Sequence, residues 1–559
     1  MLHPELEKTK KQGYPAIKSI LKSSYGKLVN GIKDAKISAV DLGARSYGFI
    51  VQLPDNSSVK DKDLFLKIQI PFHSSKSLTL QQQEAETQKA TFEFMEYASS
   101  NSSDDVFIPK VLRDHEDQFV PHIEAEDSIP LDLVGSELVL MTKAKGQAIT
   151  LSAEGQKALQ DFQLARPGKR TDNLFRDDAN YSAESLSKMA TAIAEMHVLG
   201  SDFLKTREVP TNPTHDLRTR DQIYSDLSRV FSCDIAALSP NEIDTKIAET
   251  QELVRSNALN SLKEIAPHIS LEFSDDQLAE TINTEAKKLF LSQLSEEAQK
   301  RFGDKGHALP FSVELEIAIR EKTLDAKEIE LGRRLQQVDE TLSFCQGDKM
   351  RQTILMAQNL SEIYRGIEDL PQTVLHNDTN ATNFLYDEAS GQIALIDFDT
   401  LGHGARISDL MTHHMGSRAI AKTIVAAYDS VSPLTAQEQE FGPHIVECIT
   451  FDKLAETLGR FFDIEKMHEP DHLNSLGWGI DEAYSRAKSW GEKEKIDLKG
   501  ITAEVREESA KSKIVESSEQ SFVEILGLKK PDEKPRPFVE AMQAGKYGNI
   551  GSKGGAHEL

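Results

Sequence analysis

A polar loop followed by a short apolar strand is the feature that most constrains the fold of this chain. The loop, residues 376–383, has the sequence HNDTNATN, and Asp397 ends the next apolar run fourteen residues after Asn383. The apolar run must lie in the core, so Asp397 is fixed at a strand end while the loop presents Asp378 and Asn383 to the same cleft. One base and two oxygen ligands for a divalent metal are what phosphoryl transfer from a nucleotide requires. A polar turn before an ordinary core strand is the alternative interpretation.

These motifs resemble the catalytic segment of the aminoglycoside phosphotransferase and choline/ethanolamine kinase superfamily, which shares the fold of eukaryotic protein kinases. HNDTNATNFL is similar to the family's His-Gly/Asn-Asp loop, and ALIDFDTLGHG is similar to its Ile-Asp-Phe/Trp metal strand. Asn377 is typical of the choline/ethanolamine branch. The resemblance implies that Asp378 is the catalytic base and that Asn383 and Asp397 bind Mg²⁺, with Asp399 as a minor ligand.

A glycine-bounded turn lies near the amino terminus. Residues 41–51 predict two short strands around this turn, where glycine would let backbone N–H groups approach phosphate oxygens closely. The segment does not fit the Walker phosphate-binding loop, because Gly48 is followed by Phe and Ile rather than by Lys and Ser or Thr. The family resemblance implies nucleotide contacts from Gly43, Ser46 and Gly48. A plain hairpin is the alternative.

Lys67 lies within the apolar strand of residues 65–68. A buried ammonium group is costly unless it is paired, so the pattern predicts an anionic partner: the α- and β-phosphates of ATP together with a carboxylate. The predicted helix over residues 81–97 offers Glu84 and Glu86, and the family's pattern of following apolar residues favours Glu86. A solvent-facing lysine on an edge strand is the alternative.

The stretch that follows this helix resembles the family's hinge. Residues 107–111 are similar to the strand entry before the hinge, and residues 137–146 to the hinge itself. The resemblance implies that backbone groups from Met141 to Lys143 read the edge of adenine. A core strand would explain residues 138–141 equally well. The glycine turn, strand lysine, helix glutamate, hinge, catalytic loop and metal strand all occur in the family's order.

We therefore predict an α+β fold: a protein-kinase-like, two-lobed fold with a large helical insertion in the C-lobe. The length of 559 residues also exceeds what one compact unit usually contains. An amphipathic helix near residues 14–29 is expected to dock on the small lobe. The predicted segments are an N-terminal helical extension (1–36), the N-lobe (37–142), the hinge and start of the C-lobe (143–212), the helical insertion (213–367), the C-lobe with the catalytic loop and acceptor region (368–528) and a flexible tail (529–559).

The insertion is predicted from helical periodicity between the hinge and the catalytic loop. Residues 192–199 resemble the helix that the family places just after its hinge. The insertion could form a docking surface, and this raises a second class of function, a kinase directed at a protein. The predicted helices of the insertion cover residues 220–232, 240–265, 275–302, 313–345 and 348–367.

Beyond the metal strand, residues 402–410 resemble the family's next loop and helix start. Asp409 matches a position that caps this helix and braces the catalytic loop by hydrogen bonds. His413 and His414 make a poor metal pair, because neighbours on a helix diverge by about 100°.

The acceptor region is predicted to lie further towards the carboxy terminus, where carboxylates occur near Trp478 and Tyr484. Carboxylates beside aromatic rings would suit an amine or quaternary ammonium acceptor by charge and cation–π contact. A solvated acidic helix with core aromatic residues explains the same pattern. The carboxylates are Glu465, Glu469, Asp471, Asp481 and Glu482.

Composition narrows the function classes. Sixty-five basic and ninety acidic residues give a net charge of −25, which disfavours binding to nucleic acid. The three cysteines form neither a disulfide framework nor a metal motif, and no apolar run approaches the roughly twenty residues of a membrane span.

We expect a cytoplasmic enzyme that uses ATP and Mg²⁺ to phosphorylate a hydroxyl group of a small polar or cationic molecule. The choice between ATP and GTP stays open on the sequence. The alternatives are a kinase that docks a protein partner and a non-catalytic nucleotide-binding scaffold. A scaffold has no need of Asp378, Asn383 and Asp397 at the correct spacing, so these residues disfavour it.

Overall fold

The computed structural model describes residues 17–40, 46–69, 78–119, 137–149, 181–209, 216–265, 324–411, 417–463 and 476–525, with short gaps inside these ranges and a few isolated positions besides. The predicted α+β, two-lobed architecture is confirmed: an antiparallel sheet forms the small lobe, and helices dominate the large one. No helix in these ranges is both long and apolar enough to cross a membrane.

The described strands are β1 (Lys36–Val40), β2 (Ser46–Gln52), β3 (Asp63–Gln69), β4 (Val106–Phe107), β5 (Glu137–Thr142), β6 (Gln147–Ala148), β7 (Gln372–Leu375), β8 (Phe384–Asp387), β9 (Gln392–Leu395) and β10 (Gly402–Ala405). The described helices are α1 (Leu78–Asn101), α2 (Ala183–Leu204), α3 (Arg220–Phe231), α4 (Pro240–Ile265), α5 (Ala326–Cys345), α6 (Lys349–Glu368), α7 (Ile407–Met411), α8 (Arg418–Val431), α9 (Ala436–Phe441), α10 (Ile445–Phe461), α11 (Ile480–Glu492) and α12 (Leu498–Ile525).

The small lobe is built on an antiparallel sheet with the strand order β1-β2-β3-β5. Side chains alternate between the two faces of a strand, and Leu64, Leu66 and Ile68 of β3 lie buried on one face. Ile17, Leu21 and Tyr25 pack against that face, and their spacing of four places them on one side of a helix. Lys67 therefore projects from the opposite face of the sheet, which is the face that meets the large lobe.

A second sheet, with the order β4-β9-β8-β6, positions the catalytic segment. The strand β9 is central and pairs in parallel with β4 and antiparallel with β8. The strand β6 follows the hinge and pairs with β8, and the turn before it has Gly146 at a φ of 104°. A side chain on Gly146 would collide with the backbone of Tyr386, so the close approach of the hinge turn to β8 requires glycine.

The helices of residues 213–367 share one hydrophobic core with the rest of the large lobe. Buried side chains of α3 and α6, with Phe344 near the end of α5, belong to the same cluster as those of α2, α8 and α10. Tyr224 of α3 donates a hydrogen bond to the carbonyl of Ala357 on α6, and the hydroxyl of Tyr364 donates to the carbonyl of Cys448 on α10 at 2.8 Å. In the described part of the chain, these helices complete the large lobe.

Most predicted helix limits lie close to the observed ones. The prediction for residues 240–265 coincides with α4, and those for 220–232 and 348–367 differ from α3 and α6 by one residue. The described helix α5 covers the second part of the predicted helix 313–345. The predicted helix 275–302 and the predicted tail 529–559 lie outside the described residues.

Candidate active site

Lys67 meets two carboxylates where the lobes face each other. Its ammonium nitrogen Nζ lies 3.0 Å from Oδ1 of Asp397 and 2.5 Å from Oδ2 of Asp399. The lysine is buried, whereas the two carboxylate side chains are 47% and 49% exposed. Burial alone would lower the pKa of Lys67, but the charges of Asp399 and Asp397 outweigh it and raise that pKa above its ordinary value. Lys67 is therefore fully charged at neutral pH.

The backbone after β9 brings both carboxylates to Lys67. Asp397 has φ 64° and ψ 61°, the left-handed conformation, and precedes the short 3₁₀ turn Phe398–Thr400. This conformation costs a non-glycine residue roughly 1–2 kcal/mol, so its neighbours must hold it. They do so through the N–H of Ile396, which donates to the carbonyl of Asn383 at 2.9 Å. The metal strand and the catalytic loop are thus joined directly.

The carboxylate of Asp378 is oriented by two neighbouring amide side chains. Nδ2 of Asn383 donates to the carbonyl oxygen of Asp378 at 2.7 Å and to its Oδ2 at 3.1 Å, and Nδ2 of Asn380 donates to its Oδ1. Because the amide nitrogen of Asn383 is directed at Asp378, its carbonyl oxygen is the atom that could bind a metal. The base and one predicted metal ligand are therefore in direct contact.

Asp409 holds the catalytic loop through hydrogen bonds, as the sequence predicts. Its carboxylate accepts hydrogen bonds from the N–H groups of His376 at 2.7 Å and Asn377 at 2.8 Å. Burial alone would raise the pKa of Asp409, but hydrogen bonds and nearby positive charge, chiefly from His197, lower it below its ordinary value. Its carbonyl oxygen also accepts from the hydroxyl of Thr379 at 3.0 Å. Asp409 thus holds three residues of the loop, two through its buried carboxylate and one through its carbonyl oxygen.

His376 is a structural link rather than a base. Its Nδ1 accepts the N–H of Asp378 at 3.3 Å, which places the ring proton on Nε2. Nε2 then donates to the carbonyl of Ile396 at 2.9 Å. The ring therefore holds the catalytic loop against the metal strand.

Two residues of this network were missed in the sequence. His197 on α2 donates from Nε2 to Asp409 at 3.0 Å, and its Nδ1 lies 2.7 Å from the hydroxyl of Tyr428. The position of this histidine inside the apolar stretch 192–199 was a sequence signal that could have identified it. Asp216 accepts from the side chain of Asn377 at 2.7 Å, but its own segment carries no pattern that predicts this contact.

The expected pair between Lys67 and Glu86 is not formed. Glu86 is exposed on α1, and Lys67 pairs instead with Asp397 and Asp399 on the other lobe. The side chain of Glu84 and all of Gly43 lie outside the described residues. Ser46 begins β2, and Gly48 lies directly opposite Lys67 in the register of β2 and β3. The structure thus brings Gly48, but not Glu86, beside the strand lysine.

In the predicted hinge, several backbone groups already take part in hydrogen bonds. Met141 lies opposite Phe65 of β3 and also forms a bridge with Val111. The N–H of Thr142 donates to the carbonyl of Lys110 at 2.9 Å, and the N–H of Lys143 donates to the carbonyl of Asp63 at 3.3 Å. An adenine bound at this strand end would therefore use neighbouring backbone groups rather than these two donors.

The described carboxylates of the predicted acceptor region take part in ion pairs. Asp481 lies 2.6 Å from Nζ of Lys349, and Glu482 pairs with Arg486 one helical turn later. Tyr484 is buried in the core of the large lobe. These contacts favour the interpretation of an acidic helix with a core aromatic residue. The remaining predicted residues of this region and the histidine pair lie outside the described chain: Glu465, Glu469, Asp471, Trp478, His413 and His414.

Comparison with known proteins gives one family match. Residues 293–441 match the model of the "Phosphotransferase enzyme family", and this range contains the catalytic loop, the metal strand and Asp409. No curated protein sequence matches the chain. The match confirms the predicted superfamily resemblance over the segment that carries the catalytic residues, and it supports a phosphotransferase.

Solved structures of kinases align with the chain at low identity. Amicoumacin kinase hAmiN, solved with AMP-PNP, Ca²⁺ and Ami, is 11% identical over 87% of this chain and 96% of its own, with a TM-score of 0.35. A microcompartment-associated aminopropanol kinase is 13% identical over 86% and 99%, with a TM-score of 0.33. Choline kinase from Cryptosporidium parvum Iowa II is 10% identical over 89% and 97%, with a TM-score of 0.32.

Proposed function

We propose that this chain is an ATP- and Mg²⁺-dependent phosphotransferase that phosphorylates a hydroxyl group of a small polar or cationic molecule. Its main support is the contact of Lys67 with Asp397, two residues 330 positions apart that meet between the lobes. Asp397 is joined through Ile396 and Asn383 to Asp378, so phosphate-binding, metal-binding and proton-accepting groups line one cleft. The family match covers three of these four functional residues, since only Lys67 lies before it.

The residues present suit a hard divalent cation. The half-exposed carboxylate of Asp397 and the carbonyl oxygen of Asn383 are oxygen donors, which Mg²⁺ prefers. Among the described residues, no group of three or more His, Cys, Asp or Glu side chains could hold a metal by itself. Phosphate oxygens and water would therefore have to supply the remaining ligands. When bound, the metal supplies positive charge that offsets the charge of the phosphate groups.

Lys67 would exchange partners when the nucleotide binds. In the structure its ammonium group lies between Asp397 and Asp399, where it balances their charge. In the nucleotide-bound state, Lys67 would contact the α- and β-phosphates, and the carboxylate of Asp397 would hold the metal instead of the ammonium group. Until the phosphates replace them, Asp399 and Asp397 keep the pKa of Lys67 raised and its ammonium group charged.

Asp378 would act on the acceptor. The acceptor oxygen forms a bond to the γ-phosphorus while the bond from phosphorus to the β–γ bridging oxygen breaks, and ADP leaves. The hydroxyl proton passes to the carboxylate of Asp378, whose orientation Asn380 and Asn383 maintain. A positioned base typically contributes about 10²–10⁴ in rate.

The test measures ADP formation with Mg²⁺–ATP and a panel of amino alcohols, amines, sugars and candidate proteins. We expect turnover with a small hydroxyl compound, and we expect Asp378→Ala to lower kcat by about 10²–10⁴ while the KM for ATP stays nearly unchanged. Glu388→Gln is the matched control, because Glu388 is an exposed carboxylate only ten positions away. Equal rates for Asp378→Ala and an active wild type would refute the base assignment.

If a protein in the panel is the preferred acceptor, the result favours the alternative of a kinase that docks a protein partner. Binding of Mg²⁺–ATP without any turnover would favour the scaffold. The docking alternative depends on residues 213–367 as a separate module. In the described part of this segment, α3 and α6, together with Ile243 of α4 and Phe344 of α5, bury side chains in the core of the large lobe. A small-molecule acceptor agrees better with that packing.

A further inference from the structure

Asn377 adopts a backbone conformation that must be held in place. It lies directly before Asp378 and has a φ of 61°, in the left-handed region. Asparagine tolerates this region better than most residues, but it still needs support from its surroundings. Its side-chain nitrogen Nδ2 donates to Oδ1 of Asp216 at 2.7 Å and to the carbonyl of Thr400 at 3.1 Å.

Asp216 connects this residue to a third segment. Only 3% of Asp216 is exposed, and its Oδ2 accepts the N–H of His403 on β10 at 2.9 Å. A side chain on Gly402 would collide with this carboxylate, so glycine is required for the close approach. A buried carboxylate is costly unless it is hydrogen-bonded. Asp216 therefore accepts hydrogen bonds from both the catalytic loop and the start of β10.

The segment that carries Asp216 is anchored independently of the catalytic loop. Arg218 donates from Nε to Oδ1 of Asp452 on α10 at 2.6 Å, and its N–H donates to Oδ2 of the same residue at 3.1 Å. Thr219 then caps α3 in a reciprocal capping box with Gln222. The N–H of Arg220 donates to Glu368 at the end of α6 at 2.6 Å. Asp216 is therefore presented by a fixed strap, residues 216–220.

We propose that Asp216 is a positioning residue for the reaction. Held by the strap, it keeps Asn377 in the left-handed conformation and so sets the position of Asp378 relative to the metal strand. Its effect on turnover rests on the proposed phosphotransferase function, whereas its effect on the loop does not. A purely structural carboxylate would change stability without changing turnover per folded molecule.

The kinetic test is a double-mutant cycle between Asp216→Ala and Asn377→Gly. Asp216→Ala removes the shorter of the two hydrogen bonds from the amide of Asn377. We therefore expect kcat to fall about 10- to 100-fold while the KM for Mg²⁺–ATP changes less than about twofold. Glycine adopts a positive φ freely, so Asp216→Ala in the Asn377→Gly background should cost less than about threefold. Equal losses in both backgrounds would overturn the proposal.

The control is Asp429→Ala. Asp429 is also a buried carboxylate and accepts two hydrogen bonds from Arg506 and one from the N–H of Leu434, but it lies on α8. We expect this variant to lower the melting temperature without a change in kcat per folded molecule. A similar kcat loss in Asp429→Ala would mean that any buried carboxylate gives the effect, and would overturn the specific role of Asp216.

Hydrogen exchange separates the two proposals. Asp216→Ala should speed amide exchange about tenfold in peptides covering residues 372–384 and 398–405, and Asp429→Ala should not. Faster exchange without any wild-type turnover would refute the phosphotransferase and leave the positioning role intact. Unchanged exchange with unchanged kcat would refute the positioning role in an active enzyme. If Asp216→Ala does not fold, Asp216→Asn replaces it in the test, because asparagine keeps the shape and one acceptor oxygen. This variant should show the same changes in kcat and amide exchange at smaller size.

Discussion

The two sides of the active-site cleft are built in different ways. On one side, the carboxylate of Asp409 is 1% exposed and holds the catalytic loop through backbone N–H groups and His197. On the other side, Asp397 and Asp399 are about half exposed and hold the ammonium group of Lys67. The first arrangement is fixed before any ligand arrives, whereas the second can exchange one cation for another. This contrast suits the proposed function, in which the base needs a fixed position and Lys67 changes its partner.

The largest effect is expected on the fixed side. Asp409→Ala would leave two buried N–H groups and His197 without their acceptor, and we expect the free energy of unfolding to fall by about 3 kcal/mol. Thermal or urea denaturation measures this loss. Asp409→Asn is the shape-preserving control and should lose less. An Asp409→Ala protein as stable as wild type would show that the loop does not depend on this carboxylate.

The same carboxylate predicts a pH dependence. The pKa of Asp409 is lowered in the folded protein, so its contribution is present above the unfolded-state pKa of about 3.9 and is lost as the pH falls below that value. The charged or titratable groups that act on it are His197 and His376. Denaturation between pH 3 and pH 7 should therefore show a stability loss at the acid end that is smaller in Asp409→Asn.

An intermediate effect is expected on the exchangeable side. Asp397→Asn should weaken Mg²⁺–ATP binding about 10- to 100-fold, because it removes the charged ligand of the metal. It should change the free energy of unfolding without ligand by no more than about 1 kcal/mol, since the ion pair is partly exposed. Thermal-shift titration with and without Mg²⁺–ATP measures both quantities. An unchanged ligand shift would contradict the metal role, and a large loss without ligand would contradict the contrast between the two sides.

The smallest effect is expected at Glu86. This side chain is exposed and Lys67 has other partners, so Glu86→Gln should change kcat and the KM for ATP by less than about twofold. Steady-state kinetics against the exposed control Glu388→Gln would measure this. A large loss at Glu86 alone would show that the helix carboxylate replaces Asp397 and Asp399 when the nucleotide is bound.

Local sequence was enough to predict that Asp378, Asn383 and Asp397 lie close together. The spacing from Asp378 to Asn383 and Asp397 spans one loop and one hairpin, so short-range geometry fixes how these residues meet. The limits of α4 followed from its helical periodicity in the same way. The brace by Asp409 was predicted through the family motif, and its hydrogen bonds agree with that prediction.

Contacts between distant segments could not be obtained in this way. The sequence favoured Glu86 as the partner of Lys67 because that helix follows the strand directly, yet the lysine reaches across 330 positions to Asp397. Asp216 lies 161 positions from Asn377, and nothing in its own segment indicates the contact. The helices of residues 213–367 have polar faces that suggested a separate insertion, but their apolar faces lie in the common core.

The sequence by itself determined which residues can perform the chemistry, because the catalytic loop and the metal strand are neighbours along the chain and strand geometry orders them. Apart from the brace by Asp409, only the tertiary structure decided what holds those residues in place. Lys67, Asp216 and His197 each carry a group that several partners could satisfy, and tertiary packing selects among those partners. That selection depends on distances between segments far apart in the chain, which local propensity and periodicity do not encode.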